Sequence, residues 1–181
     1  MGEGGYMEEK RIDTRTIFKG RIINLRVDTV LLPNGKNAQR EIVEHPGAVV
    51  IIPVLSDRNI VLVKQYRAAV GKVLLELPAG TLEKGENPYE CALRELEEET
   101  GLSAGKMKPL ITFYPSPGIC SEIMHVFVAS ELKKTQSSPD PDEFLKVVKL
   151  EISKILDMIN SGEIEDGKTL VGILCYLQRG G

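Results

Sequence analysis

A mixed β-sheet covered by helices is the fold class this sequence predicts, and three observations predict it. Short β-branched runs recur from Thr16 to Ile152, one helix with clear end signals interrupts them near the middle, and two helical segments close the chain. Strands gathered around a central helix, with helices at the end, favour an α/β sheet sandwiched between helices. Composition allows it, because 42% hydrophobic and 27% charged residues in 181 supply enough apolar side chain for one core.

Residues 1–12 are glycine-rich and charged and read as a flexible tail. The runs TIFKGRIINLRVDTVLL and AQREIVEH flank Pro33-Asn34-Gly35, an Asn-Gly hairpin signal, so 13–45 is expected to form an antiparallel β-region ahead of a main domain at 46–181. AVVIIPVL (48–55) and NIVLVKQYR (59–67) are split by Ser56-Asp57-Arg58, which predicts a second hairpin. Their near-continuous apolar character predicts strands buried on both faces. LLELPAG (74–80) is strand-like and ends in a glycine turn.

Asn87 can cap the helix that follows, Pro88 suits its first position, and Glu90 completes a capping-box spacing. Gly101 supplies a left-handed stop. PLITFY (109–114) and IMHVFVASEL (123–132) read as strands on either side of the loop PSPGICSE, and FLKVVKLEI as another. SKILDMINSG and 168–178 read as the closing helices.

The net charge of −3 offers no general attraction to nucleic acid or membrane. Cys91, Cys120 and Cys175 are odd in number and widely spaced, which suits a reducing cytoplasm and neither a disulfide framework nor a zinc site. His45 and His125 are too isolated to suggest metal ligands. No apolar run approaches the roughly 18 residues of a membrane span.

The stretch RELEEE (94–99) carries the chemistry. Like charges three and four apart cost a helix roughly 0.2–0.5 kcal/mol per pair, and acids in a last turn oppose the helix dipole. With Glu95 at zero, Glu98 falls near −60° and Glu99 near +40° at about 100° per residue, so the three share one arc. That arc borders the apolar side holding Ala92 and Leu96, while Glu97 points away. A solvated acidic face is the bland explanation. A divalent cation such as Mg²⁺, which takes oxygen ligands and keeps room for phosphate, explains the crowding better.

Gly80, Glu86, Arg94-Glu95-Leu96, Glu98-Glu99, Gly101 and Leu102 match the pattern GX5EX7REUXEEXGU at every defined position, so the chain resembles the Nudix hydrolases. That resemblance implies an α/β/α sandwich with a mixed sheet, and Mg²⁺- or Mn²⁺-dependent cleavage of a nucleoside diphosphate linked to another moiety. It implies Glu95, Glu98 and Glu99 as metal ligands with the Ala79 carbonyl, Arg94 orienting the glutamates, and Glu86 bracing the loop.

Pro117, sixteen residues past Gly101, resembles a mark of the ADP-ribose pyrophosphatase group, although a proline-stiffened loop would also account for it. QYR (65–67), ELPAG (76–80) and the stretch from Thr16 to His45 also resemble that group. The implied substrate is ADP-ribose or a related nucleoside diphosphate sugar. The implied assembly is a domain-swapped homodimer holding adenine partly with the partner subunit. Arg67 is then expected at phosphate and Glu122 at the terminal ribose, and each also suits a plain ion-pair or surface role. The group often draws its general base from a loop that here reads SSPDPDEF. Glu143 is the expected base, with Asp142, Asp140 or a box glutamate as alternatives, although such a loop also suits a solvated turn. The rival functions are another nucleoside diphosphate derivative as substrate, or a non-catalytic nucleotide-binding regulator.

Overall fold

The computed structural model describes residues 7–136 and 144–180. The chain divides into two compact units, Met1–Pro46 with Tyr114–Ile123, and Gly47–Phe113 with Met124–Gly181.

In the first unit, β1 (Lys10–Lys19), β2 (Asn24–Leu31) and β3 (Asn37–Glu44) form an antiparallel sheet in that order. The expected Asn-Gly turn joins β2 to β3. Gly35 takes φ 78°, which a side chain would resist, and Leu32 and Lys36 close the turn through a 2.8 Å backbone bond. β1 starts at Lys10, inside the stretch read as a tail, because pairing with Leu31 gives those polar residues a ladder. The segment Tyr114–Ile123 packs with this unit. Val43 ties it there: its N–H donates to Ile119 O at 2.8 Å and its carbonyl accepts from Ser121 N at 2.9 Å.

The second unit holds β4 (Ala48–Pro53), β5 (Asn59–Arg67), β6 (Lys72–Glu76), β7 (Ala79–Thr81), α1 (Pro88–Thr100), β8 (Leu102–Phe113), β9 (Met124–Lys134), β10 (Leu145–Glu151), α2 (Ile152–Asn160) and α3 (Gly167–Gln178). One sheet runs β7-β4-β9-β8 and is mixed, since β4 and β9 are parallel; the other runs β10-β5-β6 and is antiparallel. Every residue of β4 is buried. Its period-2 alternation sends Val49 and Ile51 to a cluster with Cys91, Ala92 and Leu96 of α1. Val50 and Ile52 point the other way, to Ile155 and Ile173 of α2 and α3. Helix, sheet and helix are thus layered as expected for an α/β/α sandwich.

Two expectations change. The turn at 55–58 forms, with Leu55 N donating to Asn59 O at 2.9 Å, but β4 and β5 do not continue as a hairpin. They share one bridge, Val54–Ile60, and then enter different sheets. β4 and residues 60–63 of β5 are apolar and buried on both faces, whereas the expected burial does not extend to Lys64–Arg67; local pattern specifies burial and leaves the ladder partner to distant strands. β8 also begins at Leu102, well before the expected strand. Ser103, Ala104, Gly105 and Lys106 have weak strand preference, and pairing with residues 130–134 of β9 overrides it. No helix among the described residues is long and apolar enough to cross a membrane.

Gly101, at φ 65°, ends α1 with its N–H on Glu97 O at 2.9 Å. Gly101→Ala is expected to cost about 1–2 kcal/mol because of its left-handed backbone, measured by denaturant unfolding. An unchanged midpoint would mean the helix end can readjust.

Candidate active site

The helix that carries the glutamates is fixed at both ends. Asn87 Oδ1 accepts from Tyr89 N at 2.8 Å, Pro88 occupies the first turn, and Gly101 closes the last. Between those ends burial sorts the acids. Glu95 and Glu99 retain 9% and 4% exposure, Glu98 is half-buried, and Glu97 is exposed.

Arg94 is the hub of the cluster. Its Nε and Nη2 donate to the two carboxylate oxygens of Glu86 at 3.0 and 3.1 Å. Its Nη1 donates to Glu95 at 2.7 Å and to Glu98 at 2.8 Å. Glu86 also accepts from Glu83 N at 2.9 Å, so it braces the turn before the helix. The Arg94 guanidinium holds the Glu86 carboxyl down at about 2, and Glu86 in return holds Arg94 above its ordinary value. Burial, reinforced by Glu86, pushes the Cys91 thiol up to about 12.

The helix meets β7 closely. Ala79 N donates to Glu99 Oε2 at 3.0 Å. A Cβ built on Gly80 would lie 1.9 Å from Glu95 Cδ, so the Glu95 carboxylate occupies the space a side chain there would need. Only glycine allows this approach. The donor chemistry is that of a hard divalent cation: carboxylate oxygens with backbone nearby, and a neighbouring thiol that stays protonated. Among the described residues, no group of three or more His, Cys, Asp or Glu is gathered closely enough to hold a metal ion.

Of the expected site residues, Ala79, Arg94, Glu95, Glu98 and Glu99 come together here. Arg67, in the same unit, makes the ion pair that was one of its two expected roles: its Nε and Nη2 bond Glu76 at 2.8 and 2.7 Å. Pro117 and Glu122 belong to the first unit. Pro117 lines a cavity of about 430 Å³ there with Arg26, Arg40 and Ile119. Glu122 lies 3.6 Å from His45 Nδ1. Asp140, Asp142 and Glu143 fall outside the described residues.

Sequence reasoning overlooked Glu76 and its partner Lys168. Glu76 had a signal, since a lone acid inside the apolar run LLELP needs a cation once buried. Lys168, far along the chain, had none.

A family model described as NUDIX domain matches residues 44–169, and one described as nucleoside diphosphate sugar hydrolase N-terminal domain matches 9–43. The chain is 47% identical over 177 residues to the methanol dehydrogenase activator of Bacillus methanolicus, covering 97% of this chain and 95% of that protein. It is 47% identical over 174 residues to the ADP-ribose pyrophosphatase of Bacillus subtilis (strain 168), covering 95% and 94%. It is 36% identical over 141 residues to the GDP-mannose pyrophosphatase of Salmonella typhimurium, covering 73% of each. A solved structure, the crystal structure of ADP compounds hydrolase, shares the fold with a TM-score of 0.84 at 22% identity, over 94% of this chain and 93% of that one.

The Glu86 carboxyl sits below its ordinary 4.5, so its stabilising effect is complete above that pH and is lost as pH falls toward about 2. Glu86→Gln is therefore expected to be less stable than the parent at pH 6, with a smaller gap at pH 3, by denaturant midpoints. A gap that does not narrow in acid would detach Glu86 from this linkage.

Proposed function

The chain belongs to the Nudix family, and from that premise we propose that it hydrolyses the pyrophosphate bond of ADP-ribose or a related nucleoside diphosphate sugar. From ADP-ribose the products are AMP and ribose 5-phosphate. The observation that carries this reading is the Arg94-centred cluster, in which two buried glutamates and a half-buried third line one side of α1 against Gly80. The names of the Bacillus subtilis and Salmonella relatives support the substrate class.

Glu95, Glu98 and Glu99, with the Ala79 carbonyl, hold Mg²⁺ or Mn²⁺ in this reading. When bound, such a cation neutralises the pyrophosphate charge and polarises its phosphorus–oxygen bonds. Arg94 keeps the carboxylates aligned, and Glu86 keeps Arg94 in place. Arg67 meets phosphate, Glu122 the terminal ribose, and Pro117 shapes the substrate pocket. Glu143 takes the proton of the attacking water. The protein works as a cytoplasmic homodimer, and apolar side chains exposed on a polar edge strand support that assembly. All ten residues of β1 are exposed, with Ile12 at 53% and Phe18 at 55%.

A second reading, a nucleotide-binding regulator of another enzyme, is favoured by the likeness to the methanol dehydrogenase activator. A panel of nucleoside diphosphate derivatives incubated with Mg²⁺ and scored by kcat/KM separates the two. ADP-ribose bound without AMP release would favour regulation.

Glu99→Gln is expected to fold and to lose most of kcat, roughly 10²-fold or more, as for loss of a group acting in the transition state. Glu97→Gln should lose far less, and comparable losses at both positions would undo the assignment of faces. Glu143→Gln should lower kcat much more than it raises KM; an unchanged kcat would return the base to Asp142, Asp140 or the box. Added Mg²⁺ should raise the melting temperature of the parent and raise that of Glu99→Gln less.

A further inference from the structure

Arg67 is anchored at one end and open at the other. Its Nε and Nη2 are committed to Glu76, which leaves the Nη1 donors outside that pair, and its side chain keeps 39% exposure. Glu76, by contrast, is only 1% exposed. A carboxylate that deep must be paired, and one bidentate arginine would suffice to neutralise it.

The protein adds a second cation. Lys168, from the first turn of α3, donates to Glu76 Oε2, the same oxygen that accepts from Arg67 Nη2, and its side chain is 9% exposed. It also donates to Asp166 at 3.0 Å. Asp166 caps α3, accepting from Thr169 N at 3.0 Å and from Thr169 Oγ1 at 2.6 Å. Thr169 Oγ1 in turn accepts from Leu77 N at 2.8 Å.

The first turn of α3 therefore holds both Glu76 and the residue after it, immediately before the Pro78-Ala79-Gly80 segment that meets the α1 glutamates. Arg67 alone would leave one negative charge over Glu76 and Asp166, and Lys168 brings the cluster to neutrality. Its added effect is geometric: with Oε2 bonded from two directions, the plane of the Glu76 carboxylate is fixed, and the bidentate guanidinium with it. Burial alone would raise the Glu76 carboxyl, but Arg67 and Lys168 together hold it below its ordinary value, so it stays ionised. Glu76 holds the Arg67 guanidinium above its ordinary value, with a smaller contribution from the charge of Glu99.

We propose that Lys168 is a positioning residue for hydrolysis: by clamping Glu76 it holds the Arg67 guanidinium in the orientation that receives the anionic substrate. The inference rests on the reading that Arg67 meets phosphate.

The test is a double-mutant cycle on the full chain with ADP-ribose and Mg²⁺, following AMP release and thermal unfolding together. Lys168→Met should raise KM roughly tenfold with a much smaller change in kcat, the pattern of a lost binding interaction. In the Arg67→Ala background the same substitution should add almost nothing, because the group it positions is gone. Lys168→Arg should recover most of the loss. Equal KM increases in both backgrounds, or a lowered melting temperature with KM unchanged, would overturn the proposal. If Lys168→Met fails to fold, Glu76→Gln enters the same cycle and is judged by the same outcomes. A parent chain that releases no AMP defeats the proposed activity and the clamp together, whereas turnover with independent effects defeats the clamp alone.

Discussion

One guanidinium divided among three carboxylates sets the rest of this structure. Arg94 gives one edge to Glu86, outside the helix, and its remaining nitrogen to Glu95 and Glu98 within it. Without that cation the acids on this face of α1 would repel one another beside a buried apolar stripe, where the dielectric is low. With it, the loop before the helix and the helix itself become one rigid piece. The mutual pKa effects of Arg94 and Glu86 express the same coupling.

That piece is useful only because it stands on a sheet with no freedom to shift. β4 is buried from end to end and packs α1 on one face and α2 with α3 on the other. Interiors packed this densely transmit displacement instead of absorbing it. Gly80 brings β7 against Glu95, and Leu77, fully buried, lies against Gly172 of α3, where a Cβ would come within 2.8 Å of Leu77 Cδ1. The strand end between them is gripped from both layers, and Arg67, Glu76 and Lys168 add polar links along the same line. Family resemblance explains the acidic helix; it does not explain why a lysine ninety-two residues from Glu76 is drawn into the same network.

The helix ends were legible because caps are local chemistry. Asn87, Pro88 and Gly101 each act on their own backbone, and each behaves as its residue type dictates. The sorting of glutamates was legible too, because a 3.6-residue period turns spacing into direction. The turn at Ser56-Asp57-Arg58 was equally visible, yet the pairing inferred from it was not what forms. A turn is decided by a few adjacent residues, whereas a ladder is decided by whichever strand offers matching apolar faces. β8 illustrates the converse, since Ser103 to Lys106 would not form a strand alone and do so only because β9 is there.

By itself, the sequence determined the class of fold, the position and ends of α1, and the identity of the acidic residues that share one side of it. These depend on period, capping and residue type, which act within a few residues. Only the tertiary structure decided that β4 and β5 enter separate sheets, that Tyr114–Ile123 joins the N-terminal unit, and that Lys168 and Arg67 meet on Glu76. Each of these satisfies a backbone group, an apolar face or a buried charge with a partner far along the chain. The demand is written at one position and the answer at another, and only folding brings the two together.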